Sequence, residues 1–258
     1  MHFVEKTLDQ LTIDDDRSLA HVGVYRELKR ILVRDRFRFL VPGAAAPSRA
    51  RTWDRVVLLN LTFWNAHEPA DVLSSDHLPA DVVCHAAWHH LARTALAGGP
   101  PTPHALFLGE SIASAFDIYL VGRVLGHAPE SEFLETQVPA MAERSEAAGV
   151  DADAFETLLQ SVVAEPERAF EDLRQLLFDA TLRLFEARSV ETASNALGAF
   201  DGHRFGCLLH HFELSNWVLY ARAYADRSAS PAAPASIDAA LREAPVSLEW
   251  LEREWLEP

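Results

Sequence analysis

The sequence has few cysteines and few basic residues, and each shortage argues against a class of protein. Two cysteines, Cys84 and Cys207, occur among 258 residues, too few for a disulfide framework or a cysteine-rich zinc site. Lys and Arg total 23 against 38 Asp and Glu, which gives a formal net charge of −15. Because so acidic a chain repels phosphate backbones and anionic lipids, we expect no nucleic-acid partner and no membrane partner.

Long apolar runs, targeting segments and nucleotide-binding motifs are also missing. Charged residues interrupt the apolar stretches short of the roughly 18 residues that a membrane span needs. Residues 1–6 show no basic segment followed by an apolar run, so we expect no secretory signal. Neither a G-x-G-x-x-G sequence nor a Walker A motif occurs. Together these observations predict a cytoplasmic protein without a nucleotide fold.

The sequence does contain a helical pattern over most of its length. Apolar residues recur at steps of three and four positions, which is typical of amphipathic helices. These patterns cover residues 17–40, 78–98, 104–125, 130–148, 151–163, 166–187 and 200–224. Residues 53–64 fit either a buried helix or a strand, and we favour a helix there. We therefore predict an all-α fold, with several helices in a single domain.

A stretch of small residues, 226–236, separates this helical region from the end of the sequence. The last segment, 247–256, has the pattern of a short amphipathic helix and carries Trp250 and Trp255, two of the six tryptophans. We predict a helical domain over residues 1–226, followed by a linker and a C-terminal helix over 227–258. The tryptophans must cover either their own chain, a protein partner or a second copy of the chain.

One group of residues has the spacing of a metal site. Residues four apart lie on the same face of a helix, so His85 and His89 can direct two imidazoles at one cation. Glu110 follows His89 by 21 residues, near the start of the next predicted helix. Two histidines and one glutamate form the ligand set of a catalytic zinc site, and equally that of an iron facial triad. We predict a divalent metal cofactor, zinc rather than iron.

This arrangement resembles that of the gluzincin metallopeptidases, which carry H-E-x-x-H on one helix and a third-ligand glutamate on the next. His85 and His89 match the two histidines, and Glu110 matches the third ligand. Residues 109–117 (GESIASAFD) are similar to the segment around that ligand. The resemblance covers about 35 residues and implies a mononuclear zinc centre of the metallopeptidase type.

The sequence departs from the gluzincin motif at the general base. Ala86 stands where these enzymes have the glutamate that takes a proton from zinc-bound water, and a methyl group cannot do this. Peptide hydrolysis by that route is therefore not expected. The sequence favours a metal-dependent enzyme that acts on a small or peptide-like substrate and takes its proton shuttle from another residue.

The same residues also fit a protein without catalytic activity. Twelve histidines in 258 residues give about half of one such i, i+4 pair by chance. His85 and His89 would then be hydrogen-bonded core residues, and Glu110 a first-turn residue favoured by the helix dipole. In that case the protein is a non-catalytic helical binding or scaffold protein, a degenerate pseudo-metallopeptidase.

Three further side chains are candidates for catalytic roles beside the metal. His203 and His210 lie seven residues apart, on one face of the predicted helix 200–224, and either His210 or His211 could stabilise an oxyanion or donate a proton. Asp117, seven residues after Glu110, could orient a metal-bound histidine. The alternatives are polar packing between helices for the histidines and an ion pair for Asp117.

Overall fold

The structure is a computed structural model that describes residues 3–43, 71–96, 101–228 and 230–257. Helices account for most of these residues, and five short strands account for a small share. The all-α, multi-helix fold predicted from the apolar periodicity is therefore confirmed. Residues 53–64 lie outside the described residues.

The chain divides into two compact units, Met1–Ala87 and Trp88–Pro258. The division falls inside one continuous helix, α3 (Ala80–Ala95). This division differs from the boundary that we predicted after residue 226, which stays a prediction.

The described part of the first unit combines short strands with two helices before α3. The strands are β1 (Phe3–Lys6), β2 (Thr12–Asp14), β3 (Phe39–Pro42), β4 (Asp71–Val72) and β5 (His77–Pro79); the helices are α1 (Asp16–Leu19) and α2 (Gly23–Arg34). Strand β3 pairs antiparallel with β1 and parallel with β4, while β2 pairs parallel with β5. The buried residues of helix α2 are Val24, Tyr25, Leu28, Ile31 and Leu32.

The single helix predicted over residues 17–40 is wrong at both ends. The chain turns at residues 20–22, between α1 and α2, and α2 ends at Arg34. Arg36 then adopts a positive φ of 51°, which a helix does not accommodate. Residues 39–42 alternate between buried and half-buried positions because they form β3, so the period of the pattern changes from helix to strand.

The second unit is built around a long apolar helix, α4 (Pro103–Leu125). The remaining helices are α5 (Glu132–Ala147), α6 (Ala152–Ala164), α7 (Pro166–Glu186), α8 (Val190–Gly198), α9 (Leu214–Tyr224), α10 (Ala232–Glu243) and α11 (Ser247–Leu251). Helix α4 packs most extensively against α7, and it also contacts α5, α6, α9 and α10. Because α4 is buried nearly all round, its sequence is apolar on every face.

Helix α4 is long and apolar enough, by length and composition alone, to cross a membrane. Within its most apolar 18-residue window, 78% of the residues are buried inside the structure. The central helix of a folded helical domain has the same properties, so this helix is weak evidence for a membrane span.

The predicted helix over residues 200–224 is only half present. Residues 200–205 and 209–213 form turns around a short 3₁₀ segment, Gly206–Leu208, and α9 begins at Leu214. A Cβ on Gly206 would lie 2.4 Å from the carbonyl oxygen of Phe200, so the chain folds back on itself where only glycine fits. The apolar content of this segment reflects burial in a turn rather than a continuous helix.

The end of the chain packs on its own unit. The predicted linker 226–236 is partly helical, because α10 begins at Ala232, directly after Pro231. The predicted C-terminal helix is confirmed as α11, which continues as a π-helix, Glu252–Leu256. The ring of Trp255 lies 6.4 Å from that of Trp88, centroid to centroid, and Trp88 is fully buried. At least this tryptophan therefore covers its own chain.

A buried arginine joins α7 to α10. Arg174 is fully buried; its Nη2 and Nε donate to the Glu171 carboxylate at 2.6 and 2.8 Å, and its Nη1 donates to the Asp238 carboxylate at 2.8 Å. Asp238 also accepts a hydrogen bond from Nε of Arg242 at 2.8 Å. These charges satisfy one another, so removing one leaves the others buried without compensation.

We expect Arg174→Met to lower the free energy of unfolding by about 3 kcal/mol, because Glu171 and Asp238 lose their buried counter-charge. Urea denaturation followed by circular dichroism measures the change. The matched control is Arg168→Met on the same helix, where an exposed side chain forms only surface ion pairs. This control substitution should lower the free energy of unfolding by less than about 1 kcal/mol. Equal stabilities of the two variants would contradict the role given to Arg174.

Candidate metal centre

Helix α3 places His85 and His89 on one face. The helix begins directly after Pro79 and has Asp81 in its first turn and Arg93 in its last, which suits the helix dipole at both ends. His89 is buried and His85 is half-buried. The two imidazoles therefore lie one turn apart along the helix, as the spacing predicted.

Helix α4 positions the third side chain, Glu110. The hydroxyl of Thr102 caps the helix by accepting a hydrogen bond from the Ala105 N–H at 3.0 Å, and Pro103 occupies the first turn. These two residues fix where α4 begins. Glu110 follows Thr102 by eight residues and therefore lies on the third turn of the helix.

A close approach of α4 to α3 brings Glu110 to His89. A Cβ on Gly109 would lie 3.4 Å from the Cβ of Ala92 and 3.9 Å from Nδ1 of His89. The small residues Gly109 and Ala92 therefore let the two helix backbones approach each other beside the histidine. As a result, Nε2 of His89 lies 3.4 Å from Oε2 of Glu110.

The three side chains converge. One ligand atom from each of His85, His89 and Glu110 lies within 4.8 Å of the other two, so the group could hold a metal ion. On a tetrahedral zinc with bonds of 2.0–2.1 Å, two ligand atoms are separated by about 3.4 Å. The separation of the His89 and Glu110 atoms already has this value, and the ligand atom of His85 lies within 4.8 Å of both.

The surroundings of Glu110 favour a cationic partner for its carboxylate. Phe107, Leu108 and Ile112, its neighbours on α4, are fully buried, and the Glu110 side chain itself is 18% exposed. A carboxylate in such an apolar environment needs a hydrogen-bonding or cationic partner. The remaining exposure leaves the carboxylate accessible from solvent, as an exchangeable metal ion and a substrate both require.

Tyr220 is a neighbour of this group that the sequence did not reveal. It lies on α9, which packs against α4. Burial raises the pKa of the Tyr220 phenol to about 12, with further increases from Tyr224 and from the negative charge of Glu110, while the positive charge of Arg93 opposes them. No spacing rule links residues so far apart in sequence, so only the fold could bring Tyr220 to Glu110.

The three candidate catalytic residues stay predictions. His203 and His210 do not share a helix face, because residues 200–213 form turns, and His210 is exposed. His211 is half-buried, and burial, assisted by the charge of Arg144, lowers its pKa. Asp117 is half-buried on α4, two turns beyond Glu110. Of the described residues, His85, His89 and Glu110 alone form a group that could hold a metal ion. The candidate catalytic residues His210, His211 and Asp117 are not part of that group.

The two residues next to His85 are both buried. Cys84 is fully buried and Ala86 is 1% exposed. The position that carries the general base in gluzincins therefore holds a methyl group that is packed in the interior. Neither residue presents an acid or base at the surface of the centre.

Comparisons of the chain with protein-family models, with curated proteins and with solved structures find no match in any of the three. A function for this chain is therefore inferred from its own residues alone.

We expect the protein to bind one equivalent of zinc, and His89→Ala or Glu110→Ala to weaken binding at least about 100-fold, because each removes one of three ligands. Competition with a chromophoric chelator measures the affinity. His90→Ala, the matched control on the same helix, removes an imidazole outside the metal group and should keep the affinity. Wild-type affinity in the Glu110 variant would contradict the three-ligand centre.

Proposed function

We propose that the protein is a metal-dependent hydrolytic enzyme with a mononuclear zinc centre formed by His85, His89 and Glu110. The observation that carries this proposal is the convergence of their three ligand atoms within 4.8 Å. The substrate is a small or peptide-like molecule that reaches the centre from the exposed side of Glu110. The same ligand set also binds iron, and zinc is favoured because the spacing of His85, His89 and Glu110 resembles that of the gluzincin zinc centre.

The metal would supply Lewis-acid chemistry and lower the pKa of a bound water. His85, His89 and Glu110 would hold the ion, and the close packing of helices α3 and α4 would keep these side chains in place. Because His85 and Glu110 are not fully buried, water would have access to the centre.

The absence of a glutamate at position 86 restricts the substrates. Cleavage of an amide requires a proton for the leaving amine, and Ala86 cannot provide a carrier for it. An ester with a good leaving group does not need this proton. We therefore infer that the centre hydrolyses esters or similarly activated bonds and leaves ordinary peptide bonds intact.

A non-catalytic scaffold is the second candidate, and one observation favours it. Nε2 of His89, which is buried, and Oε2 of Glu110, which is half-buried, are close enough, at 3.4 Å, to stabilise each other directly. In a scaffold protein of this kind the metal would be structural or absent, and the contact between His89 and Glu110 would join helices α3 and α4.

We expect the zinc-loaded protein to hydrolyse 4-nitrophenyl acetate at least about tenfold faster than the metal-free protein, and to cleave no peptide in a panel of unstructured peptides. The rates are followed by nitrophenolate absorbance and by mass spectrometry. His89→Ala should reduce the ester rate to that of the metal-free protein, while His90→Ala keeps it.

Two results would overturn the proposal in different ways. Efficient peptide cleavage would contradict the inference from Ala86. Full zinc occupancy with an ester rate equal to that of His89→Ala would instead support the scaffold protein.

A further inference from the structure

The segment 200–213, which connects α8 to α9, folds around the backbone of His203. The His203 N–H donates to the carbonyl oxygen of Phe200 at 2.9 Å, and the Gly206 N–H donates to the carbonyl oxygen of His203 at 2.8 Å. Phe205, which precedes Gly206, is fully buried. His203 therefore lies at the centre of a tight turn that its own peptide groups hold together.

The imidazole of His203 adds a third hydrogen bond to this turn. Its Nδ1 accepts a hydrogen bond from the N–H of Phe205 at 3.2 Å. A ring nitrogen accepts only while it carries no proton, so this bond requires the neutral imidazole with its proton on Nε2. Protonation of Nδ1 would set two N–H groups against each other. Because Phe205 is fully buried, water cannot replace the lost acceptor.

Two opposite charges act on the imidazole of His203. Burial is the largest effect and lowers the pKa of His203 below its ordinary value of 6.5; Asp172 of α7 raises this pKa, and Arg204 lowers it. Oδ2 of Asp172 and Nη2 of Arg204 pair with each other at 2.7 Å. The imidazole is therefore neutral at pH 7, as the hydrogen bond from Phe205 requires.

Side chains of the segment dock it on α6 and α7. Nη1 of Arg204 donates to Oγ of Ser161 on α6 at 3.4 Å. The guanidinium of Arg183 on α7 lies over the ring of Phe200, 4.7 Å from its centroid. Since Arg204 and Phe200 flank His203, both contacts depend on the shape of the turn.

The rest of the segment docks on α5. The hydroxyl of Ser145 donates to Sγ of Cys207 at 3.5 Å. His211 is the second buried titratable group of the segment; burial and the charge of Arg144 on α5 lower its pKa, while Glu213 raises it. Of the two imidazoles, only that of His203 accepts a backbone hydrogen bond within the residues that the structure describes.

We propose that His203 is a pH-sensitive switch, in which a proton from solvent binds Nδ1, breaks the hydrogen bond from Phe205 and releases the segment 200–213 from α5, α6 and α7. The half-buried position of His203 gives the proton access. The contacts that hold the segment lie on α5 to α7, whereas the candidate metal ligands lie on α3 and α4. The switch is therefore tested without reference to the proposed function.

The direction of the pH dependence follows from proton binding. The closed turn holds His203 neutral, whereas in the released segment the imidazole regains a pKa of about 6.5. Well above this pH neither form binds a proton, so the closed turn keeps its full stability. As the pH falls below about 6.5, the released form gains a proton that the closed form lacks. Opening then becomes more favourable by at most about tenfold per pH unit, until the closed form is protonated as well.

The test is hydrogen–deuterium exchange of the full chain at pH 8.5, 7.5, 6.5 and 5.5, measured by mass spectrometry. Protection is expressed relative to an unstructured peptide at the same pH. We expect the protection of segment 200–213 to be equal at pH 8.5 and 7.5 and at least about threefold lower at pH 5.5. Residues 107–116, in the core of α4, should keep their protection. A smaller change in 200–213, or an equal loss in both segments, would overturn the proposal.

Substitutions at position 203 separate the loss of the acceptor from the gain of a charge. His203→Asn keeps an acceptor oxygen near the position of Nδ1 but binds no proton, so its protection should stay high at every pH. His203→Ala removes the acceptor, so protection should be low at every pH, and wild-type protection at pH 7.5 would contradict the switch.

The matched control is His211→Asn, which removes the other buried imidazole of the same segment. It should keep the wild-type pH dependence. A pH dependence that persists in His203→Asn, or that disappears in His211→Asn, would overturn the assignment of the switch to His203.

Discussion

The candidate centre depends on how closely α3 approaches α4. Gly109 and Ala92 have almost no side chain, and a Cβ on Gly109 would already contact the Cβ of Ala92. This proximity places the carboxylate of Glu110 3.4 Å from the imidazole of His89. A bulky side chain at either position would separate the helices by more than a metal coordination sphere tolerates, since its ligand distances vary by only about 0.2 Å.

The chemistry of the centre follows from what surrounds these ligands. The carboxylate lies on an apolar helix, so it needs a partner, and it keeps enough exposure for exchange with solvent. Ala86, whose methyl group is buried, stands where the gluzincin motif has its general base. Burial raises the pKa of the Tyr220 phenol on α9, and the negative charge of Glu110 raises it further.

The sequence predicted local features well and distant ones poorly. The histidine pair and the helices were predicted from periodicities within single segments of the sequence. The predicted helices over 78–98, 104–125, 130–148, 151–163 and 166–187 agree with α3 to α7. The helix predicted over 200–224 is wrong in part because the chain turns back on Phe200 at Gly206, which apolar periodicity does not reveal. The helix predicted over 17–40 is wrong in part because the strand pairing near Phe39 is set by residues elsewhere in the fold. Tyr220 could not be found for the same reason. Its proximity to Glu110 comes from the packing of α9 on α4.

X-ray absorption spectroscopy of the zinc-loaded protein tests the three-ligand centre most directly, since it reports the atoms bound to the metal. We expect four light ligands at about 2.0–2.1 Å, with the multiple scattering of two imidazoles. In His89→Ala that scattering should correspond to one imidazole. A sulfur ligand at about 2.3 Å, or a shell of oxygen atoms without imidazole, would contradict a centre formed by His85, His89 and Glu110.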